Sequence, residues 1–521
     1  MAITISDGAE KITLEARDGE TIADAARRAG LFVSMPCGGR GRCGKCAVMT
    51  RGAFPPPLEP EARLLERAPA WEGYVTRIAC ICAAADGEAV IPGGGRKVSV
   101  ADMASDLPPY DGDERDSFGV AADIGTTTVS AALFSFRDGR MAAAAHEMNR
   151  QANFGADVLS RIAHSNDRGP GELTRSIASQ LAGMIRRMMK DSGVGARGVT
   201  RIVVTGNTTM LHFLAGLDPR GIGAAPFTPA SKFGIETPAS AILEGFGDAS
   251  LYIPPCISAY IGADVTCGIL SVGMAEGESA RLLIDVGTNG EMALRGGGRL
   301  LCCSTAAGPA FEGASISMGM PALTGAISRV ASDGNGVVYD TIEGAQPTGI
   351  CGSGMISAVN MMLNEGALDG GGKIAESGHR FERLVTRPDG EAAFALGGGV
   401  YLTQRDIRNI QLAKAAIAAG ASVLMKTMGI GAEGLEALYL SGGFGSAIDP
   451  AEAAGIGLIP PESAIRAAAS GNTALSGAAQ LLFSRSLRAK AAEIAAGAEE
   501  IALSGSAEFM EEYIDRMAFR E

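Results

Sequence analysis

Asp123-Ile124-Gly125-Thr126-Thr127-Thr128 decides how most of this chain is read. The apolar run Gly119-Val120-Ala121-Ala122 precedes it and Val129-Ser130-Ala131-Ala132-Leu133 follows. This pattern predicts a strand, a tight corner and a second strand. The corner presents backbone N–H groups and hydroxyls to a phosphate, and its Asp is placed to hold a metal-bound water beside that phosphate. A second copy begins 162 residues later, Leu282-Leu283-Ile284-Asp285-Val286-Gly287-Thr288-Asn289-Gly290-Glu291. One such corner says little, because many turns carry Asp-x-Gly-Thr. Two copies predict two homologous lobes, each opening on a β-hairpin.

A third segment completes the set. Leu438-Tyr439-Leu440-Ser441-Gly442-Gly443-Phe444-Gly445 reads as an apolar strand ending in a glycine turn able to pack flat against a nucleoside. In this order the three segments resemble the actin-like ATPase superfamily, whose two α/β ribonuclease-H-like lobes clamp ATP. The resemblance implies catalytic roles for Asp123 and Asp285, with Mg2+ accompanying the nucleotide. It makes Gly125, Thr126, Thr127 and Thr128 the first phosphate loop, and Gly287, Thr288 and Asn289 the second. Ser441, Gly442, Gly443 and Gly445 become the adenosine loop. Asn207, in the corner Val204-Thr205-Gly206-Asn207-Thr208-Thr209-Met210, joins them as nucleotide-binding. This unit is expected over residues 118–521, with the core of its second lobe from about 281.

Nearer the start stands Pro36-Cys37-Gly38-Gly39-Arg40-Gly41-Arg42-Cys43-Gly44-Lys45-Cys46, with cysteines spaced C-x5-C-x2-C. A thiolate loop around a metal cluster turns tightly and points N–H groups at the sulfurs, and glycine permits the positive φ this needs. Four thiolates are the usual set for an iron–sulfur cluster. The nearby candidates for the fourth are Cys80 and Cys82. A zinc site on Cys43, Cys46, Cys80 and Cys82 would leave Cys37 unused. Around the loop, residues 2–6 and 11–15 read as a hairpin, 20–30 as a helix, 58–65 as helical turns and 74–80 as a strand. The arrangement resembles the plant and adrenodoxin type of [2Fe–2S] ferredoxin, an α+β β-grasp, over residues 1–95. That resemblance implies Cys37, Cys43, Cys46 and Cys80 as the ligands, with Cys82 spare. Ile81 stands where the family has Gln. Residues 96–117, charged and Pro/Gly-bearing, read as a linker.

Composition agrees with a chain of several lobes. Of 521 residues, 46% are hydrophobic, and 72 are glycines spread over many short corners. A net charge of −13 argues against a general nucleic-acid binder. No secretory leader and no membrane-length apolar run is read, so the expected location is the cytoplasm, with no membrane partner. Cys256, Cys267, Cys302, Cys303 and Cys351 read as buried thiols, and the four histidines as ordinary core or surface residues.

A [2Fe–2S] ferredoxin joined to an actin-like ATPase is already specific. This one also carries G-N-T-T-M, A-G-P-A-F-E-G, G-I-C-G-S-G and D-I-R-N-I-Q-L-A-K. The whole resembles the reductive activators of corrinoid proteins, in which ATP drives an electron from the cluster onto cob(II)alamin to restore cob(I)alamin for methyl transfer. The resemblance implies a corrinoid-protein partner, an upstream low-potential electron donor and a homodimer. The linker is too short for the extra middle domain of some relatives, and no bacterial-type cluster motif follows Cys351. The alternative is a sugar or carboxylic-acid kinase with a redox module, for which Asp264 or Asp406 would serve as general base.

Overall fold

The computed structural model describes residues 2–6, 11–29, 31, 33, 35, 39–42, 44–65, 73–91, 107–334, 336–375, 383–387, 390–442 and 447–519. The N-terminal unit contains β1 (Ala2–Ser6), β2 (Lys11–Glu15), α1 (Ile22–Arg28), β3 (Ala47–Gly52), α2 (Glu59–Leu65), β4 (Val75–Ile78) and β5 (Gly87–Val90). Its strands lie in the order β2-β1-β5-β3-β4, with β1 and β5 parallel, a β-grasp as expected. Alternation along β1 turns Ile3 and Ile5 onto Ile22, Val48 and Ile78. A capping box starts α1: the Thr21 hydroxyl accepts from the Asp24 N–H, and the Asp24 carboxylate accepts from the Thr21 N–H. Arg77, three residues before Cys80, is buried in a bidentate pair with Glu61, at 2.8 and 2.7 Å. Glu61 also accepts from the Ile78 N–H at 2.9 Å, so α2 is bolted to the strand that delivers Cys80.

The first lobe runs β6 (Phe118–Ile124), β7 (Thr128–Ser135), β8 (Met141–Met148), α3 (Val158–Arg168), α4 (Gly171–Asp191), β9 (Val199–Gly206), α5 (Thr208–Leu214), α6 (Arg220–Gly223), β10 (Ile235–Pro238), β11 (Ser250–Ile253) and α7 (Ala263–Ser271). The second opens with β12 (Arg281–Val286), β13 (Gly290–Gly296) and β14 (Arg299–Thr305). Two small sheets follow, β15 (Ala326–Ser332), β16 (Val337–Thr341) and β17 (Gly349–Ile350), then β18 (Leu384–Thr386), β19 (Ala392–Gly397) and β20 (Val400–Thr403). Between and after them come α8 (Gly352–Asn364), α9 (Gln404–Met428), β21 (Ala437–Ser441), α10 (Pro450–Gly455), β22 (Ala467–Ala469), α11 (Thr473–Phe483), α12 (Leu487–Gly497), β23 (Glu499–Glu500) and α13 (Ala507–Asp515).

The two main sheets repeat one plan. The first is ordered β8-β7-β6-β9-β11-β10 and the second β14-β13-β12-β21-β22, with β23 added beyond β14. In each, three antiparallel strands continue into parallel ones, and the Asp of the corner is the last residue but one of the central strand. Asp123 lies opposite Thr205 of β9, and Asp285 opposite Ser441 of β21. The next residues, Gly206 and Gly442, have φ of +152° and +120°. A Cβ at either would stand 2.5 Å from the carbonyl oxygen of Ile124 or Val286. Only glycine lets these strand ends approach so closely.

Helices α7 and α11 pack against each other in a core shared by both sheets, with Ala121, Val203, Leu283 and Ala293. A Cβ at Gly477 of α11 would lie 2.1 Å from the Cys267 carbonyl oxygen of α7, so the helices cross backbone to backbone. Part of the expected linker belongs to the first lobe. Tyr110 is buried and stacks on Phe136 with ring centroids 4.0 Å apart. Asp111 accepts from the Arg485 and Ser486 N–H groups at 2.5 and 3.3 Å. These partners are distant in sequence, so the charged stretch does not announce them. Residues 96–106 of that linker lie outside the described residues.

Candidate functional site

The two corners meet across a cleft of about 140 Å³ between the lobes. Gly125, Thr126, Thr127, Thr128, Asn207, Gly287, Thr288, Asn289 and Gly442 line it together with Asp123 and Asp285. Ser441 stands behind Asp285, donating to its Oδ2 at 3.1 Å and sharing a 2.6 Å hydrogen bond with Thr473. Asn207 also caps α5, accepting from the Thr209 N–H at 3.0 Å. Gly443 and Gly445 lie outside the described residues, so the expected adenosine loop is seen only to Gly442.

Besides Glu312, described below, four carboxylates crowd the cleft. Asp264 comes from the first turn of α7 and Glu291 from β13, joining Asp123 and Asp285. Burial pushes Asp123 up to about 7, with the Asn472 amide opposing and the Asp285 charge adding. Asp264 is pushed up to about 8, by burial first and then by the charges of Asp123 and Asp285. Burial raises Asp285 to about 6 against the Ser441 hydrogen bond, and holds Glu291 well above the usual carboxylate range. Such a group of mutually repelling acids suits a divalent cation that brings its remaining ligands, phosphate oxygens and water, with it. Among the described residues, no three Asp, Glu, His or Cys side chains converge on a metal-binding geometry by themselves.

Three residues that the sequence reading did not assign complete the cleft. Asn472, capping α11, accepts from the Leu475 N–H at 2.7 Å and donates to Asp123 Oδ2 at 2.9 Å. It belongs to the second half of the chain yet orients the aspartate of the first lobe. Arg161 is fully buried behind the first corner, donating to the Thr126 carbonyl at 2.7 Å and the Gly155 carbonyl at 2.9 Å. Burial depresses it to about 10. Glu312 bridges both corners. Thr127 Oγ1 donates to its Oε2 at 2.6 Å, the Thr288 N–H to its Oε1 at 3.1 Å, and the Thr288 hydroxyl also donates to it. The only sequence signal for Glu312 was the A-G-P-A-F-E-G corner, which alone reads as any α/β turn.

Asp406 is not in the cleft. It forms a capping box with Thr403 at the start of α9 and accepts from the Ser317 N–H at 2.7 Å and hydroxyl at 3.1 Å. Its hydrogen-bonding capacity is taken up by the fold, which removes it as a general base. Further along the same motif, Gln411 and Lys414 hold the carbonyls of Met517 and Ala518, at 2.9 and 2.5 Å.

In the N-terminal unit, Cys37 and Cys43 lie outside the described residues. Cys46 and Cys80 face one another with sulfurs 3.3 Å apart. The Cys46 thiol hydrogen bond, with N–H groups of Gly41 and of Cys80 itself, draws the Cys80 thiol down to about 7. Gly39, Gly41 and Gly44 all take the positive φ expected of the loop. This donor set fits a thiolate-bound cluster. Cys82 differs: it is buried, and burial pushes its thiol up to about 12. The unit touches both lobes. Lys45 donates to the carbonyls of Gly313 at 2.9 Å, Gly319 at 3.4 Å and Ile316, while the Arg27 guanidinium lies 5.7 Å from the Phe154 ring centroid.

Three family models cover the chain. The 2Fe-2S iron-sulfur cluster binding domain matches residues 5–85, the RACo middle region residues 118–277, and the C-terminal domain of RACo, described as the ASKHA domain, residues 279–521. The middle region therefore falls on the first lobe and not in the linker. The corrinoid activation enzyme RamQ of Eubacterium limosum is 32% identical over 439 residues, covering 80% of this chain and 72% of the relative. The [Co(II) methylated amine-specific corrinoid protein] reductase of Methanosarcina barkeri is 30% identical over 343 residues, 60% of this chain and 61% of that protein. A solved structure of a reductive activator for corrinoid, iron-sulfur protein is similar with a TM-score of 0.73 at 28% identity, covering 99% of this chain and 98% of the other. A ferredoxin-type unit, two repeated lobes around an acidic cleft and matches along nearly the full length lead to one placement: the chain belongs to the family of reductive activators of corrinoid proteins.

Proposed function

We propose that this protein reduces the Co(II) centre of a corrinoid protein to Co(I) at the expense of ATP, using an electron held on a [2Fe–2S] cluster. Cys37, Cys43, Cys46 and Cys80 are the proposed cluster ligands, and the cluster supplies the electron. Asp123 and Asp285 position Mg2+ and the attacking water. The corner N–H groups and hydroxyls of Gly125–Thr128 and Gly287–Asn289 receive the phosphates, while Ser441–Gly445 carries the adenosine. The observation that carries this reading is that the cluster loop rests, through Lys45, on the lobe bearing the second phosphate corner. An electron site and a nucleotide site in physical contact suit a coupled device better than two independent activities.

The coupling has a thermodynamic motive. For a one-electron step, each 59 mV uphill costs about a tenfold factor, so a few hundred millivolts amounts to roughly 5–10 kcal/mol. ATP turnover is of that size, and it acts through differential affinity for two conformations. The remaining proposed parts are a low-potential electron donor, a homodimeric assembly and a cytoplasmic location.

The test is conversion of Co(II) to Co(I) in a corrinoid protein by the dithionite-reduced protein, with and without Mg2+ and ATP, followed by visible spectroscopy. Conversion is expected only with nucleotide, and Asp285→Asn is expected to slow it by orders of magnitude together with ATP hydrolysis. Equal conversion without nucleotide overturns the coupling. ATP consumption stimulated by sugars and unaffected by corrinoid protein favours the kinase instead, for which Asp264 remains in the cleft.

A further inference from the structure

Glu312 accepts from the donors that a terminal phosphate would use: the Thr127 hydroxyl of one corner, and the N–H and hydroxyl of Thr288 on the other. Its carboxylate is thus an internal anion in the seat of an external one. The residues that follow it turn tightly. A Cβ at Gly313 would stand 2.4 Å from the Met320 nitrogen, so the two ends of the turn are in backbone contact. The same turn offers the carbonyls of Gly313, Ile316 and Gly319 to Lys45, which lies between Gly44 and Cys46 in the cluster loop. One face of an eight-residue segment is a phosphate mimic, and the other is a cation socket for the electron carrier.

We infer that the Glu312–Gly319 segment makes nucleotide binding and seating of the cluster loop compete: the terminal phosphate expels Glu312 from the two corners, and this displacement takes the socket away from Lys45. The inference rests on the proposed nucleotide site and deepens it. Two anions do not share one set of donors, so Glu312 must leave when the phosphate arrives. Ser315 and Ser317 are tied to α9 by Asn409 and by Asp406, so the segment pivots about these ties when its first residue moves. Gly313, next to Glu312, moves most. Docked ferredoxin is then the nucleotide-free state, and an undocked cluster loop, available to a partner, is the ATP state. Linkage makes the effect reciprocal: whatever factor ATP costs the docking, docking costs ATP affinity.

The full-length protein, loaded with its cluster, tests this without any corrinoid protein. The probe is the β,γ-imido analogue of ATP with Mg2+, its affinity measured by calorimetry. Lys45→Ala and Glu312→Gln are each expected to bind it about fivefold or more tightly than the unmodified protein. In a double variant the gains are expected to add less than fully, because both remove one obstacle. Hydrogen exchange supplies the second readout. In the unmodified protein the analogue is expected to speed exchange in peptides spanning 313–320 and 44–50, and Lys45→Ala is expected to show the faster exchange in 44–50 without nucleotide. Weaker binding by Glu312→Gln makes the residue a nucleotide or metal ligand and overturns the inference. So does unchanged affinity in Lys45→Ala, or unchanged exchange at 44–50 on nucleotide binding. Absence of analogue binding to the unmodified protein is a different failure, since it removes the nucleotide site itself.

Discussion

Cys80 and Cys82 are separated by Ile81 alone and are chemically opposite. Cys80 faces the Cys46 sulfur among N–H groups and has its thiol drawn down to about 7, so it gives a thiolate readily. Cys82 is enclosed in the hydrophobic core beside Ile78 and Ala89, with its thiol pushed up to about 12. Cys80→Ala is expected to abolish the cluster absorption and the bound iron, whereas Cys82→Ala keeps both; iron analysis of anaerobically purified variants decides, and the reverse pattern exchanges the two roles. At this scale the sequence was most informative where the geometry is local. Asp123, Gly125–Thr128 and Gly287–Asn289 sit in corners whose residue types follow from their own turn geometry. Asn472, Arg161 and Glu312 were not legible, because each acts on a loop remote from it in the chain. Asn472 reaches Asp123 across 349 residues, a pairing that no local pattern encodes.

Among the elements, α2 and β4 depend on a single buried ion pair. Arg77 and Glu61 are both nearly fully enclosed, and the carboxylate also satisfies the Ile78 N–H. Removing one partner of such a pair leaves a buried charge uncompensated, which costs about 3–5 kcal/mol. Glu61→Ala is therefore expected to lower the unfolding midpoint of the N-terminal unit markedly and to weaken cluster retention, while the unfolding of the two lobes is unchanged. Calorimetry and the cluster spectrum of the variant report both. The strand–helix order of this unit and the paired hairpins of the lobes were readable from apolar alternation and glycine punctuation. The packing of residues 107–117 was not, since Tyr110 and Asp111 find Phe136, Phe483 and Arg485 only in three dimensions.

For the molecule as a whole, the acidic cleft couples stability to pH. Asp123, Asp264 and Asp285 titrate in the folded protein near about 7, 8 and 6, against about 4 when unfolded. Across that interval the folded state binds more protons than the unfolded one, so these groups make the protein less stable as pH rises from about 4 to about 8. The nucleotide-free protein is expected to unfold at a higher temperature near pH 5.5 than near pH 8.5 on their account. Asp264→Asn is expected to shrink the difference, and a wider difference in that variant would contradict the assignment. Comparison with the variant isolates the carboxylate from His146 and His212, which burial holds below the usual imidazole range and which act in the opposite sense.

The crowding of acids around the two corners also gives nucleotide binding an accompaniment in protons. Near neutral pH the nucleotide-free cleft retains hydrogen ions on Asp123 and Asp264, and Mg2+ entering with the nucleotide as proposed is expected to drive them out and acidify the surrounding solution. A buffer that absorbs those ions with a large enthalpy, such as Tris, then reports a different apparent heat from phosphate at the same pH, and the slope of heat against buffer ionisation enthalpy counts the protons expelled.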